Sequence, residues 1–198
     1  KDFFTINKKK KWITNIKSRN LGNFLRSKYD CLITTSKTIN NDNPLLNCRI
    51  EGLEQKTPNL IVLDRYFRIK KNVKIFKTKK RKIYIFTSVN NNLKKKYFQK
   101  KGVKIIRIKD EGNNPNTIFL NIKKLGYNRV FVETGSIFLN QLLKLNIVRN
   151  LYLFKSSKKL FSYGKNNSSL SHIKKLKTTK ANEVKVNLDG DTLHKVEF

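Results

Sequence analysis

Short apolar runs alternate with helix-spaced segments along most of the chain, and that alternation restricts the fold more than any other feature. Runs rich in Ile, Val, Leu, Phe and Tyr read as buried strands. They fall at residues 30–34, Asn59–Asp64, Lys82–Thr87, Val103–Ile108, Arg129–Glu133 and Asn150–Phe154. Helical spacing occupies Thr14–Lys28, Asn91–Gln99, Asn116–Leu125 and Ser136 to about Leu145. Thr14 or Asn15 can cap the first helix, whose apolar face is Ile16, Leu21, Phe24 and Leu25, with Gly22 in its middle. Gly126 stops the third. Parallel strands need long crossovers, usually helices, so this order predicts a parallel sheet. The end of the chain differs: Glu183–Leu188 and Thr192–Phe198 flank Asp189-Gly190-Asp191, a strong hairpin signal. The expected fold is α/β, a mostly parallel central sheet flanked by helices, closing in an antiparallel C-terminal hairpin. With 198 residues and no visible repeat, one domain over 1–198 is expected.

Charge narrows the function classes. The formal net charge is +32, with charged residues at 29% and hydrophobic residues at 38%. Clustered Lys and Arg bind phosphates, so a nucleic-acid role has to be weighed. The excess is mainly Lys, accompanied by abundant Asn and Ile, a trio that AT-rich codon drift would supply. The basic runs Lys8–Lys11, Lys79–Lys82 and Lys94–Lys96 are dispersed and lack interleaved aromatics. A solvated basic surface with attraction for small phosphorylated molecules is the favoured reading, and a specific nucleic-acid partner is not. No run of eighteen apolar residues predicts a membrane span, and the first residues do not read as a signal peptide. The two cysteines, Cys31 and Cys48, form neither a metal set nor a disulfide framework, which suits a reducing cytoplasm.

Residues 34–49 are dense in hydroxyls, amides and charge, directly after the apolar Cys31-Leu32-Ile33, and read as a polar loop turned by Pro44. Such segments at the end of a core strand commonly hold ligands. Val132-Glu133-Thr134-Gly135-Ser136 is a second candidate. Gly135 permits close approach, the first helical turn suits a phosphate, and Glu133 stands at the strand's end. Alone, this pattern is common punctuation. Trp12 precedes the first helix and Arg26 lies at its far end. A lone Trp is usually a core anchor, and an Arg can simply make a surface pair; equally, a Trp edge packs on planar rings and an Arg fork suits phosphate. His172 and His194 have no Cys or Ser partner at a catalytic spacing, and no dinucleotide or Walker loop is present.

Taken together, Trp12-Ile13-Thr14, Leu25-Arg26, Thr35-Ser36-x-Thr38-x-x-x-Asp42-x-Pro44-x-Leu46-x-x-Arg49, Leu63-Asp64 and Val132-Glu133-x-Gly135 resemble the reductase domain of the bifunctional riboflavin-biosynthesis deaminase/reductase. The resemblance covers almost the whole chain. It implies a dihydrofolate-reductase-like fold. The activity it implies is NADPH-dependent reduction of the ribosyl group of 5-amino-6-(5-phosphoribosylamino)uracil, by hydride transfer to C1′. It assigns NADPH contacts to Trp12, Thr38, Asp42, Gly135, Ser136, Ile137, Phe138 and Leu139. Substrate contacts fall to Arg26, Leu46, Arg49 and Glu133. Glu133 or Asp42 would assist proton transfer, and no metal is implied. A homodimer is implied, fused to or working with a zinc deaminase.

Two departures stand out. Lys10 occupies the position where the family carries a substrate-contacting Ser. The family's opening strand, with a Lys and a Leu-Asp-Gly turn, is not in the sequence, so an exposed sheet edge is expected. Two other readings remain open: a dihydrofolate-reductase-like enzyme on another pterin or pyrimidine, and a basic RNA-binding module.

Overall fold

The structure is a computed structural model that describes residues 6–9, 12–78, 81–108, 114–165 and 181–198. The chain divides into two compact units, Asn23–Thr134 and a second made of Lys1–Gly22 with Gly135–Phe198.

The Asn23–Thr134 unit holds a five-stranded, wholly parallel sheet. Helix α1 (Ile16–Arg26) leads to β2 (Cys31–Thr35); the remaining strands are β3 (Asn59–Leu63), β4 (Ile83–Thr87), β5 (Val103–Arg107) and β6 (Val130–Val132). The two-residue β1 (Ile6–Asn7) precedes them all. Strand order is β5-β4-β3-β2-β6, with Cys31 opposite Asn59 on one side and Val130 on the other. Residues 31–34 and 83–87 are buried throughout, as continuous apolar strands covered on both faces should be. Phe98 from α3 (Asn92–Lys100) packs in one core with Leu32, Leu60, Val62 and Ile85. The helix starts follow the sequence closely. The Asn91 side chain accepts from the Lys94 N–H, and Pro115 opens α4 (Pro115–Lys124) behind Asn114.

One expectation is corrected here. Residues 34–49 are not a loop throughout: Ser36–Asp42 form helix α2, whose cap Thr35 accepts from the Thr38 N–H. Helix α2 buries only Ile39, so no apolar period announces it. Asn43, at φ 44°, ends it in the left-handed region, ahead of Pro44. Asp64, 2% exposed, follows β3 and ties down its turn. It accepts from the Arg68 and Ile69 N–H groups and from the Ser36 hydroxyl.

The second unit contains α5 (Ser136–Lys144) and a three-stranded antiparallel sheet in the order β7-β10-β9: β7 (Asn150–Lys155), β9 (Asn182–Leu188) and β10 (Asp191–Glu197). Residues 150–154 therefore pair antiparallel with the hairpin and do not extend the parallel sheet. Within the polar stretch 156–171, Gly164–Lys165 form β8 and pair with β1; residues 166–171 and His172 lie outside the described residues. His194 sits on β10 with its Nε2 3.1 Å from the Thr192 hydroxyl. Asn15 caps α1 by accepting from the Ser18 N–H.

Asp189 and Gly190 both have positive φ, 50° and 84°, the geometry of the tight hairpin turn foreseen from the Asp-Gly pair. A Cβ on Gly190 would also meet the Ser157 Cβ at 3.4 Å. Gly190→Ala should therefore destabilise the protein by about 1 kcal/mol or more, measured by chemical denaturation.

Candidate functional site

Glu133 directly follows β6. Its N–H donates to the Ile33 carbonyl at 2.9 Å, so strand pairing fixes where its side chain begins. Arg26, in the last turn of α1, meets that side chain with two parallel bonds. Nε donates to Oε1 at 2.6 Å and Nη2 to Oε2 at 2.9 Å. Nη1 donates to the Asn23 Oδ1 at 2.8 Å and to the Asn47 carbonyl at 3.0 Å. The two charged side chains are only 15% and 27% exposed, so the pair is weakly screened and its orientation fixed.

Two more guanidinium groups stand near. Arg49 donates through Nη1 to the Asn47 Oδ1 at 3.0 Å. Desolvation, and then the charge of Arg26, hold its pKa below the usual guanidinium value, while Glu133 and Cys48 act in the opposite sense. Arg81 donates through Nη1 and Nη2 to the carbonyls of Leu46 and Leu45, at 2.7 and 2.8 Å. Burial, with Arg26 adding to it, lowers its pKa to about 10. Arg49 and Arg81 each feel the charge of Arg26, so among the described residues positive charge, partly removed from water, exceeds what Glu133 balances. That is a setting for an anionic ligand with planar, directional recognition. Arg81 was missed in the sequence because it sits inside the basic run Lys79–Lys82, which reads as solvated surface.

Among the other residues singled out in this unit, Thr38 is half-buried, with its hydroxyl 3.0 Å from that of Thr35. Asp42 is exposed in the last turn of α2. Leu46 is 4% exposed and its side chain belongs to the hydrophobic core, although φ of 53° turns its backbone sharply. Cys48 is buried, and its N–H donates to the Thr57 hydroxyl at 3.1 Å.

In the second unit, Trp12 is 55% exposed and is not a core anchor. The Arg19 guanidinium lies over its ring, 4.9 Å from the centroid. Gly135 caps α5 without a side-chain hydrogen bond, and its φ of −68° would suit any residue. A Cβ built on it meets nothing within 4 Å, so open space lies beside the helix start. Of the first turn, Ser136 and Leu139 are half-buried, Ile137 is exposed and Phe138 is buried. Lys10 lies outside the described residues. Among the described residues no helix is long and apolar enough to cross a membrane.

A wholly parallel sheet flanked by helices, with an Arg-paired carboxylate at one strand end, defines an α/β domain. The comparisons carry this to a family. The model of the RibD C-terminal domain matches residues 3–187. A 5-amino-6-(5-phosphoribosylamino)uracil reductase from Buchnera aphidicola subsp. Acyrthosiphon pisum is 31% identical over 162 residues, covering 75% of each protein. The riboflavin biosynthesis protein RibD of Buchnera aphidicola subsp. Baizongia pistaciae is 28% identical, over 90% of this chain and 52% of its own length. Among solved structures, RibD of Acinetobacter baumannii superposes with a TM-score of 0.73 at 17% identity, over 98% of this chain and 53% of that one. At that identity the superposition speaks for the fold. The chain belongs to the RibD C-terminal domain family, and it spans about half the length of the RibD proteins it matches.

Proposed function

We propose that residues 1–198 form a single reductase domain that reduces the ribosyl group of 5-amino-6-(5-phosphoribosylamino)uracil to the ribitylamino product, with NADPH as reductant. Membership of the RibD C-terminal domain family supports the reaction class. The observation that carries the substrate side is the two-pronged Arg26–Glu133 pair with Arg49 beside it. A ribosylamine phosphate offers both hydroxyls for a carboxylate and a phosphate for guanidiniums.

The residues fit a phosphate-bearing nicotinamide cofactor in one checkable respect: the start of α5 has open space at Gly135, where a helix N-terminus favours negative charge. Bound NADPH would supply the hydride. The residues that the family resemblance assigns to hold it are Trp12, Thr38, Asp42 and Gly135 to Leu139. Phe138 is buried, so it would contribute through its backbone. Substrate contacts fall to Arg26, Arg49, Glu133 and Lys10, and to the backbone of Leu46, whose side chain is in the core. The chain's own work is to orient two reactants, which removes much of the entropic barrier. Reduction also takes up a proton. Glu133, held by Arg26, or Asp42 would deliver it through a hydroxyl or a water. A homodimer, a cytoplasmic setting and a zinc deaminase partner complete the proposal.

The test is loss of absorbance at the reduced-nicotinamide band. It should require the phosphorylated pyrimidine ribosylamine and be absent with pterins. No oxidation with that substrate would overturn the proposal. Arg49→Ala should raise the substrate KM about tenfold or more, with the NADPH KM within twofold. Equal effects on both would assign Arg49 a purely structural role.

A further inference from the structure

Three successive residues of the turn after α2 hold all three guanidiniums. The carbonyls of Leu45 and Leu46 accept from Arg81 at 2.8 and 2.7 Å. The next carbonyl, of Asn47, accepts from Arg26, and the Asn47 side chain accepts from Arg49, each at 3.0 Å. Arg26 in turn holds Glu133. We infer that Arg81, which none of the sequence motifs includes, is a positioning residue: by gripping the Leu45–Leu46 backbone with its fork it sets Asn47, and through Asn47 the orientation of Arg26 and Arg49 toward the substrate.

The geometry explains why an arginine is needed. Two adjacent carbonyls take one Nη each, and a planar guanidinium meets both at once, whereas an ammonium is a single point of charge. The turn itself lacks regular structure. Leu46 adopts a left-handed φ of 53°, uncommon for a branched side chain, so an external tie is required to hold it. Arg81 keeps this place with no carboxylate bonded to it among the described residues, and with the Arg26 charge working against it. Among the described residues, the hydrogen bonds of Arg81 go to the Leu45 and Leu46 carbonyls, so its alignment and that of the turn depend on each other.

The inference rests on the reductase reading only for its kinetic arm. The chain's two cysteines supply an independent probe, since both are buried, Cys48 within the turn and Cys31 in β2. In Arg81→Lys, labelling of Cys48 by an aromatic disulfide reagent should accelerate about tenfold or more, with Cys31 unchanged. Labelling that is unchanged at both, or accelerated equally at both, would overturn the inference; the second result is global loosening. In the reductase assay, Arg81→Lys and Arg81→Met should both raise the substrate KM about tenfold, with kcat and the NADPH KM within about twofold. Full rescue by Lys would show that charge alone matters and would also overturn it. A double cycle with Asn47→Ala, which removes the acceptor of Arg49 and keeps the carbonyl that holds Arg26, should be non-additive in substrate KM through the Arg49 arm. Additivity would count against it. If the wild-type protein oxidises no NADPH, the proposed function fails, while the cysteine labelling still decides whether Arg81 holds the turn.

Discussion

Glu133→Gln should cost about 2–3 kcal/mol of stability and lower kcat/KM on the order of a hundredfold or more. Glu133 receives both prongs of Arg26, and its charge also acts on Arg49. Removing one partner of a buried pair costs roughly 3–5 kcal/mol, since the other charge is left without compensation. The side chains here keep 15% and 27% exposure, so water recovers part of that. A glutamine retains one acceptor oxygen for Arg26 but meets its second prong with an NH2 group, donor against donor. Urea denaturation checks the stability, and NADPH oxidation checks the turnover. Arg26→Ala/Glu133→Ala, compared with the two single variants, should show a coupling of about 2 kcal/mol. A coupling near zero would mean that the pair is solvated and contributes only shape.

Asp191→Ala should be the more damaging change for folding, by about 2–4 kcal/mol, through loss of a hub in the second unit. Asp191 is 5% exposed. It accepts from the Asn15 N–H at 2.9 Å, the Ser18 hydroxyl at 2.8 Å and the Ser157 N–H at 2.9 Å. Ser18 is itself buried, so its hydroxyl would lose its partner without access to water, whereas Ser157 is exposed and water can replace the acceptor there. Burial pushes the Asp191 carboxyl up, but the N–H groups of Asn15 and Ser157 and the hydroxyls of Ser18 and Ser156 together hold it below the ordinary value. A depressed carboxyl stabilises the fold above its unfolded pKa, about 3.9. That stabilisation is lost as pH falls through the lower, folded value. The gap in stability between the wild-type protein and Asp191→Asn should therefore be full near pH 6 and close progressively below about pH 4. A gap constant across that range would mean that the charge of Asp191 contributes nothing.

The sequence alone settled what depends on neighbours along the chain. Apolar runs marked every strand of the parallel sheet, most continuously in β2 and β4, because a strand buried on both faces must be apolar on both. Asn15 and Asn91 marked helix starts, because an unpaired N–H needs a nearby acceptor. Asp189-Gly190 marked the hairpin, because few residues tolerate positive φ. Family motifs marked Arg26, Arg49 and Glu133. What depends on residues distant in the chain came only from the tertiary structure. That β6 lies beside β2, and that β7 pairs with β10, are decided by which apolar faces find each other. Helix α2 escaped notice because it buries a single apolar residue and follows a stretch that reads as loop chemistry. Arg81 looked like one cation in a basic run, and only folding placed it against Leu45 and Leu46, thirty-six and thirty-five residues away. A hydrogen bond depends on position in space, and the spacing of residues in a sequence carries that information only within a few turns of a helix or along one strand.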